Sequence, residues 1–413
     1  MTTPELTDVS VVEPADAAAR LGIKAHSDGP LHTRSAVPVQ TRSGRFTSTD
    51  VAAFESPSGR EIAWKLTPVA KLRDLIDGAL DGSAYDVEST EVSDIAVTWV
   101  DRSDARIGTA GLPEERAAAN AWSSFEKALA IHVTGEDAKV FTLNRGALGI
   151  VPRGAHTLIE AAPYSRAVIV LQNTGDAVLS ENIEILVGEG AQLTVVTVQE
   201  WNDAARHLAN HFARVGRDAK LKHIVVSLGG DIVRVNPAAH LAERGADGEL
   251  LGLYFADGGQ HLEQQVYVDH DAPDTRSRVT YKGALQGEGA RTVWIGDVLI
   301  RHSADGTDSY EQNRNLVLSD GTRADSIPNL EIETGNIAGA GHASATGRFD
   351  DEQLFYLQSR GIPEDEARRL VVRGFLSEIV QQIRVPELEE RLQQAIEDEL
   401  ARSAGQTGSA AQQ

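Results

Sequence analysis

The sequence predicts a mainly β fold in which short strands coil into a β-helix between helical regions at the two ends. Three observations carry this. From about Ala138 to Glu333, short β-rich runs follow one another: Lys139–Leu143, His156–Ala161, Ala167–Gln172, Ile183–Val187, Gln192–Val198, Lys222–Leu228, Asp231–Val235 and Glu249–Phe255. They continue as Gln264–Val268, Arg276–Tyr281, Arg291–Trp294, Asp297–Arg301, Asn313–Leu318 and Asn329–Glu333. Turn residues separate them, often Gly followed by Ala, as at Gly146-Ala147, Gly154-Ala155, Gly190-Ala191, Gly245-Ala246 and Gly289-Ala290. No long helical pattern interrupts them, so a βαβ sheet is excluded in favour of an all-β core. A sandwich or barrel rarely takes so many short strands in one domain. Stacked rungs that bury their inner faces against one another accommodate them readily. The repeat is too degenerate to yield a period.

The flanks read differently. Residues 1–50 are rich in Ser, Thr, Asp, Gly and Pro, as expected of a leader or irregular arm. Helical spacing of Val69, Leu72, Leu75, Ile76 and Leu80 predicts a helix over Pro68–Leu80. A second is predicted over Pro113–Val133, with Pro113 and the acids Glu114 and Glu115 at its start. Beyond Phe349, Asp350 and Gln353 form a capping-box pair for a helix ending near Gly361. Pro363 opens a longer helix with Leu370, Val371, Phe375, Ile379 and Ile383 as its apolar stripe. Pro386 opens a third, with Leu388, Leu392, Ile396 and Leu400 four apart. The expected division is therefore 1–137 for the leader and N-terminal helical region, 138–348 for the β-helix core and 349–413 for a C-terminal helical domain.

Composition narrows the function classes. With 41% hydrophobic and 24% charged residues the 413-residue chain is an ordinary folded protein. A net charge of −22 argues against nucleic-acid or anionic-membrane binding, both of which require clustered Lys and Arg. No apolar run has the length of a membrane span and the N-terminus lacks the apolar core of a secretory signal, so a cytoplasmic location is expected. The chain has no cysteine, which excludes disulfides, thiolate catalysis and all-cysteine metal sites.

Catalytic and cofactor motifs are missing. There is no GxxxxGK[ST] loop, no GxGxxG between a strand and a helix, and no HExxH, CxxC or GxSxG. His207 and His211 have i, i+4 spacing, but their β-like surroundings favour a structural role over a metal site. His261 and His270, near Asp269, Asp271 and Asp274, read as a solvated polar rung edge. Trp64, Trp294 and Phe375 read as core aromatics. His342 stands apart, in the small-residue stretch Ile337-Ala338-Gly339-Ala340-Gly341-His342-Ala343-Ser344-Ala345-Thr346-Gly347 where the β region meets the helical tail. Its imidazole is left accessible by its neighbours and suits iron, although such a histidine also serves as a packing or turn residue.

Several motifs in order resemble the SufB/SufD family of iron–sulfur cluster assembly proteins. They are Trp64-Lys65-Leu66-Thr67-Pro68, Asp269-His270 with Ser277, Tyr281-Lys282-Gly283 and Asn313-Arg314-Asn315-Leu316. The closing set is Pro328-Asn329-Leu330-Glu331-Ile332, His342 through Gly347 and Leu354-Phe355-Tyr356-Leu357-Gln358-Ser359-Arg360-Gly361-Ile362. The resemblance spans about residues 60–385. It implies a right-handed parallel β-helix, a SufD-type non-catalytic subunit paired with the paralogue SufB, and docking of the ATPase SufC on the C-terminal helices. It further implies that His342 takes part in building a nascent iron–sulfur cluster at the SufB–SufD interface, with no cofactor bound by this chain alone and a flavin permitted in the complex.

The sequence departs from many SufD sequences at Ala340, where they have cysteine two residues before the histidine. Clusters are held mainly by thiolates, with histidine able to replace some of them. A cysteine-free chain therefore supplies an imidazole or a carboxylate, and the partner must supply the sulfur ligands. The alternative is a polysaccharide-active β-helix enzyme using acids such as Asp269, Asp271 and Asp274.

Overall fold

A computed structural model describes residues 44–146, 148–348 and 351–410. The leader up to residue 43 and the Asp350 capping signal lie outside the described residues. Two nine-stranded sheets face each other. The first contains β1 (Glu88–Ser89), β4 (Lys139–Gly146), β6 (Arg166–Gly175), β8 (Gln192–Trp201), β10 (Lys220–Ser227), β12 (Asp247–Ala256), β14 (Arg276–Leu285), β16 (Asp308–Val317) and β18 (Gly339–Arg348). The second contains β2 (Ile95–Asp101), β3 (Lys127–Val133), β5 (Gly149–Ala161), β7 (Ala177–Val187), β9 (Arg206–Val215), β11 (Ile232–Leu241), β13 (His261–His270), β15 (Arg291–Ile300) and β17 (Arg323–Ile332).

From β3 onward each strand pairs in parallel with the strand two places along, so the chain coils into a parallel β-solenoid of about eight turns. Strands of the first sheet begin at residues 166, 192, 220, 247, 276, 308 and 339, so rung length drifts from 26 to 32 residues. That drift hides the repeat from a fixed-period search. Left-handed turn residues recur once per rung at one corner, at Tyr164, Gly190, Asp218, Gly245, Asp274 and Gly306.

The expected strands all appear, although Arg291–Trp294 and Asp297–Arg301 form one continuous strand, β15. β9 was anticipated only as the β-like surroundings of His207 and His211, and β1, β2 and β18 were not anticipated. The helix expected over Pro113–Val133 is a correction: it covers only Arg116–Ser124, and Lys127–Val133 is β3, antiparallel to β2. Alanine favours a helix locally, but Leu129, Ile131 and Val133 alternate into the lumen, and tertiary burial overrides propensity. The helical stretch after Pro68 is shorter than expected, a 3₁₀ turn over Val69–Leu72 followed by α1 (Arg73–Ile76).

Lumenal packing depends on complementary size across rungs. The inward positions of β12 include Gly252 and Tyr254, and those of β14 include Tyr281 and Gly283. The register pairs Gly252 with Tyr281 and Tyr254 with Gly283. Each ring thus lies over its neighbour's missing side chain. A Cβ on Gly283 would come 1.9 Å from Tyr254 Cε2, and one on Gly252 would come 2.0 Å from Tyr281 Cε1.

A buried polar network occupies the early rungs. Arg145 forms a two-pronged pair with Glu181, at 2.7 Å for each prong, and donates to Asn173 at 2.8 Å. Trp201 Nε1 donates to His207 Nδ1 at 3.2 Å, leaving His207 Nε2 to meet Glu181 at 2.7 Å. The acid keeps its charge because Arg145 and His207 outweigh the cost of burial.

The outer faces are covered. The N-terminal segment and α2 (Arg116–Ser124) pack on the second sheet, where Arg234 stacks over Trp64 at 4.1 Å and pairs with Glu115 and Glu263. Thr67 Oγ1 donates to the same Glu263 at 2.9 Å, so the Trp64–Pro68 motif is a clamp on the sheet. On the first sheet lie α4 (Glu364–Val380) and α5 (Pro386–Ala410), preceded by α3 (Asp351–Ser359). In α5 the predicted stripe Leu388, Leu392, Ile396 and Leu400 is buried. In α4 the buried face is Val372, Leu376, Ile379 and Val380, with Ile383 buried in the turn that follows, while Leu370 remains exposed, so the stripe is rotated from the expected one. Lys282 helps set that rotation: its Nζ donates to Phe375 O at 3.1 Å and to Glu378 at 2.5 Å.

Gly283→Ala is expected to lower stability by more than ~1–3 kcal/mol, the usual cost of overpacking. Gly335→Ala, with open space around it, should change stability by less than about 0.5 kcal/mol. Urea unfolding of the two variants measures the contrast. Burial also holds His223 down to about 4, next to His211, which is displaced in the same direction. The unfolded state then binds more protons below pH 6.5, so stability falls as pH drops from 6.5 toward 4, by on the order of 2 kcal/mol at pH 5. A His211→Gln, His223→Gln double variant should flatten that part of the pH–stability curve.

Candidate functional site at the open end of the solenoid

The two ends of the solenoid differ. At the first rungs, β1 and β2 run antiparallel to β4 and β3 and cap the coil. At the other end, β17 and β18 are the last strands of their sheets, each with a hydrogen-bonded neighbour on one side only. β18 is rich in Gly, Ala and Ser, and most of its residues are exposed.

His342 sits on β18 opposite Glu311 of β16. It shares the lumenal row that contains Val195, His223, Leu250 and Val279 in earlier rungs. In those rungs the row is sealed by the next turn. At His342 no further turn follows among the described residues, and the side chain is 44% exposed while Glu311 directly beneath is fully buried. His342 Nδ1 lies 3.7 Å from Glu311 Oε1, leaving Nε2 as the ring nitrogen away from that carboxylate.

Glu311 is an unusual group for a core. Neither carboxylate oxygen has a well-formed hydrogen bond, and Trp294 Nε1 nearby is likewise unpaired. Gly296 makes room for both, since a Cβ there would come 2.3 Å from the Trp294 ring and 2.4 Å from Glu311 Oε2. Burial pushes the Glu311 carboxyl up to about 8, Asp297 adds to the rise, and the Asn329 backbone opposes it only in part. The adjacent asparagines are engaged: Asn313 Nδ2 donates to Tyr254 OH, Tyr254 donates to Asn315 Oδ1, and Ser326 donates to Asn313 Oδ1. The open end thus presents an accessible imidazole over an unsatisfied carboxyl group. Among the described residues no three His, Cys, Asp or Glu side chains converge on a metal position.

The other candidates are structural. His207 and His211 lie on β9, both pointing into the lumen, with partners Glu181 and His223. His270 is buried, bonded to Thr275 and Ser277, rather than part of a solvated edge, and His261 pairs with Glu263. Asp269 is held by Arg301, Asp271 by His240 and Asp274 by Arg244. These ion pairs leave no free pair of carboxylates for glycosidic chemistry, so the polysaccharide-active reading is unsupported. Sequence reasoning missed Glu311, which lies one long rung before His342 and carries no linear motif. Among the described residues no helix is long and apolar enough to cross a membrane.

Comparison with known proteins decides the family. Residues 145–375 match the family model described as the SUF system FeS cluster assembly, SufBD core domain. The chain belongs to the SufBD family. It is 49% identical over 391 residues to an iron–sulfur cluster assembly SufBD family protein of Mycobacterium tuberculosis, covering 92% of this chain and 96% of that one. A Mycobacterium leprae protein of the same description is 50% identical over 366 residues, covering 86% and 93%. A second SufBD family protein of Mycobacterium leprae is 32% identical over 208 residues, which is 50% of this chain and 24% of the other. Within this SufBD chain, the motif residues Trp64, Thr67, His270, Ser277, Tyr281, Lys282, Gly283 and Asn313 pack rungs or clamp flanks, whereas His342 stands at the open end.

Glu311→Gln tests the electrostatics. A carboxyl whose folded-state pKa is raised loses stability as pH climbs from its unfolded value near 4.5 through 8. The substitution should therefore raise stability at pH 9, by roughly 3–5 kcal/mol if the full shift is realised, and leave it nearly unchanged at pH 4. Thermal melts across that range measure it.

Proposed function

We propose that this chain is the SufD-type, non-catalytic subunit of a cytoplasmic iron–sulfur assembly scaffold and that its open end is half of a shared cluster site. The observation that carries this reading is the terminal rung itself: two strand edges lacking an outer neighbour, with His342 exposed between them and an incomplete ligand set. A thiol-free chain with one imidazole and one carboxyl group at the position lends a ligand and leaves the sulfur donors to another subunit. Unpaired strand edges suit docking of a second solenoid end by main-chain hydrogen bonding. The presence of two SufBD relatives in Mycobacterium leprae, one matched nearly end to end and one over a quarter of its length, supports pairing with a SufB-type paralogue.

The C-terminal helices suit docking of a SufC-type ATPase. Phe355 and Tyr356 of α3 are 72% and 55% exposed, large apolar groups that a partner would cover.

His342→Ala should leave folding and complex assembly intact but reduce cluster formation. Iron and acid-labile sulfide in the co-purified complex are the measurement, and unchanged content would remove His342 from the mechanism. Phe355→Ser with Tyr356→Ser should cut recovery of the ATPase by about tenfold or more in co-purification without lowering the yield of this chain; undiminished recovery would place that docking elsewhere.

A further inference from the structure

A groove of about 530 Å³ runs along the outer face of the first sheet, beside the turn between α4 and α5. It is unusual on a chain whose net charge is −22, because its rim is basic. The register explains how this arises. Arg166 of β6 pairs with Gln192 of β8, which pairs with Lys220 of β10, so both cations lie in one row across neighbouring rungs. The next cations toward the open end are compensated: Arg276 pairs with Asp247 at 3.1 Å and Lys222 with Glu249 at 3.0 Å. Arg166, Lys220 and the opposing Arg384 make no ion pair or side-chain hydrogen bond among the described residues.

Arg384 adds an independent observation. It occupies the left-handed conformation, at φ 58°, in the turn that leads into α5. That position favours glycine, and an arginine held there is a strained residue of the kind that gathers at ligand sites. Its neighbours Gln382 and Ile383 also line the groove, and Gln382 is bound to Lys222 at 3.4 Å, which fixes the helical wall against the sheet.

We propose that this groove binds a ligand bearing a chain of phosphate groups, gripped between Arg166 and Lys220 on the sheet and Arg384 on the helical turn. The cavity is of small-molecule size. Two strand spacings separate Arg166 from Lys220, roughly 10 Å at the backbone, which suits linked phosphates spanning the two side chains better than a single phosphate. Guanidinium groups offer planar two-pronged donors to phosphate oxygens, and a lysine adds a mobile point charge. An acidic polypeptide would meet the same cations, but it spreads single charges along an extended backbone, whereas linked phosphates concentrate theirs over the roughly 10 Å between Arg166 and Lys220.

The test is calorimetric titration of the full chain with inorganic tripolyphosphate, pyrophosphate and orthophosphate. Saturable one-to-one binding of tripolyphosphate is expected, at least about tenfold tighter than orthophosphate. Arg166→Gln with Lys220→Gln, both at exposed strand positions, should weaken it by about tenfold or more, as should Arg384→Gly, which also relieves the backbone. Arg60→Gln, an exposed position in the N-terminal segment that packs on the other sheet, should leave it unchanged. A nucleoside triphosphate that binds tighter than tripolyphosphate would identify a nucleotide as the source of the phosphates; equal affinity would identify the polyphosphate alone. The proposal is overturned if tripolyphosphate does not bind, if its affinity is the same in the groove variants, or if polyglutamate binds there and tripolyphosphate does not.

Discussion

Parallel in-register stacking requires every inward side chain to be completed by the rungs before and after it, and the rest of this molecule follows from that requirement. In the interior it is met by shape, as where Tyr254 lies over Gly283 and Tyr281 over Gly252. It is also met by charge, as where Arg145, Glu181 and His207 compensate one another across three strands. At the last rung the requirement goes unmet. Glu311 is left without a well-formed hydrogen bond and His342 half-open where the coil stops. The candidate site is therefore made by termination of the repeat, with hardly any local specialisation of the strand that bears it.

Flanking elements convert the coil into a rigid presenting body. Arg234, Trp64 and Thr67 tie the N-terminal segment to one sheet, while Lys282 and the buried faces of α4 and α5 tie the C-terminal hairpin to the other. With both broad faces covered, the ends and the exposed side of α3 are the places left for large partners. Trp64, Thr67 and Lys282 belong both to these ties and to the motifs that make the sequence recognisable, so those motifs report packing. The motifs around His342 and in α3 are largely exposed.

Much of the fold was legible because strands alternate in hydrophobicity and are punctuated by turn residues. The exceptions have local causes. β9 was read as β-like but given no bounds because its Arg, His and Asn positions interrupt the apolar run, and β18 escaped notice because Gly-Ala-Gly-His-Ala-Ser-Ala-Thr-Gly lacks the branched residues that mark strands. Lys127–Val133 was masked by the alanines before it. Of the site, His342 stood out through its small neighbours and its motif. Glu311 could not, because pairing it with His342 requires knowing a rung length that drifts along the chain.

The reversed strands at the beginning of the coil bear on how far such molecules can aggregate. One end offers two ten-residue edges, each parallel to its sheet neighbour; the other offers a two-residue edge in one sheet and a seven-residue edge in its companion, both antiparallel to theirs. Head-to-tail stacking would need these ends to match, and they do not. Docking of the kind proposed would consume the long edges, and among the described residues nothing equivalent lies at the far side to recruit a third coil. The architecture thereby favours a finite pair over an open fibre, which is a safeguard for a protein that leaves strand edges bare.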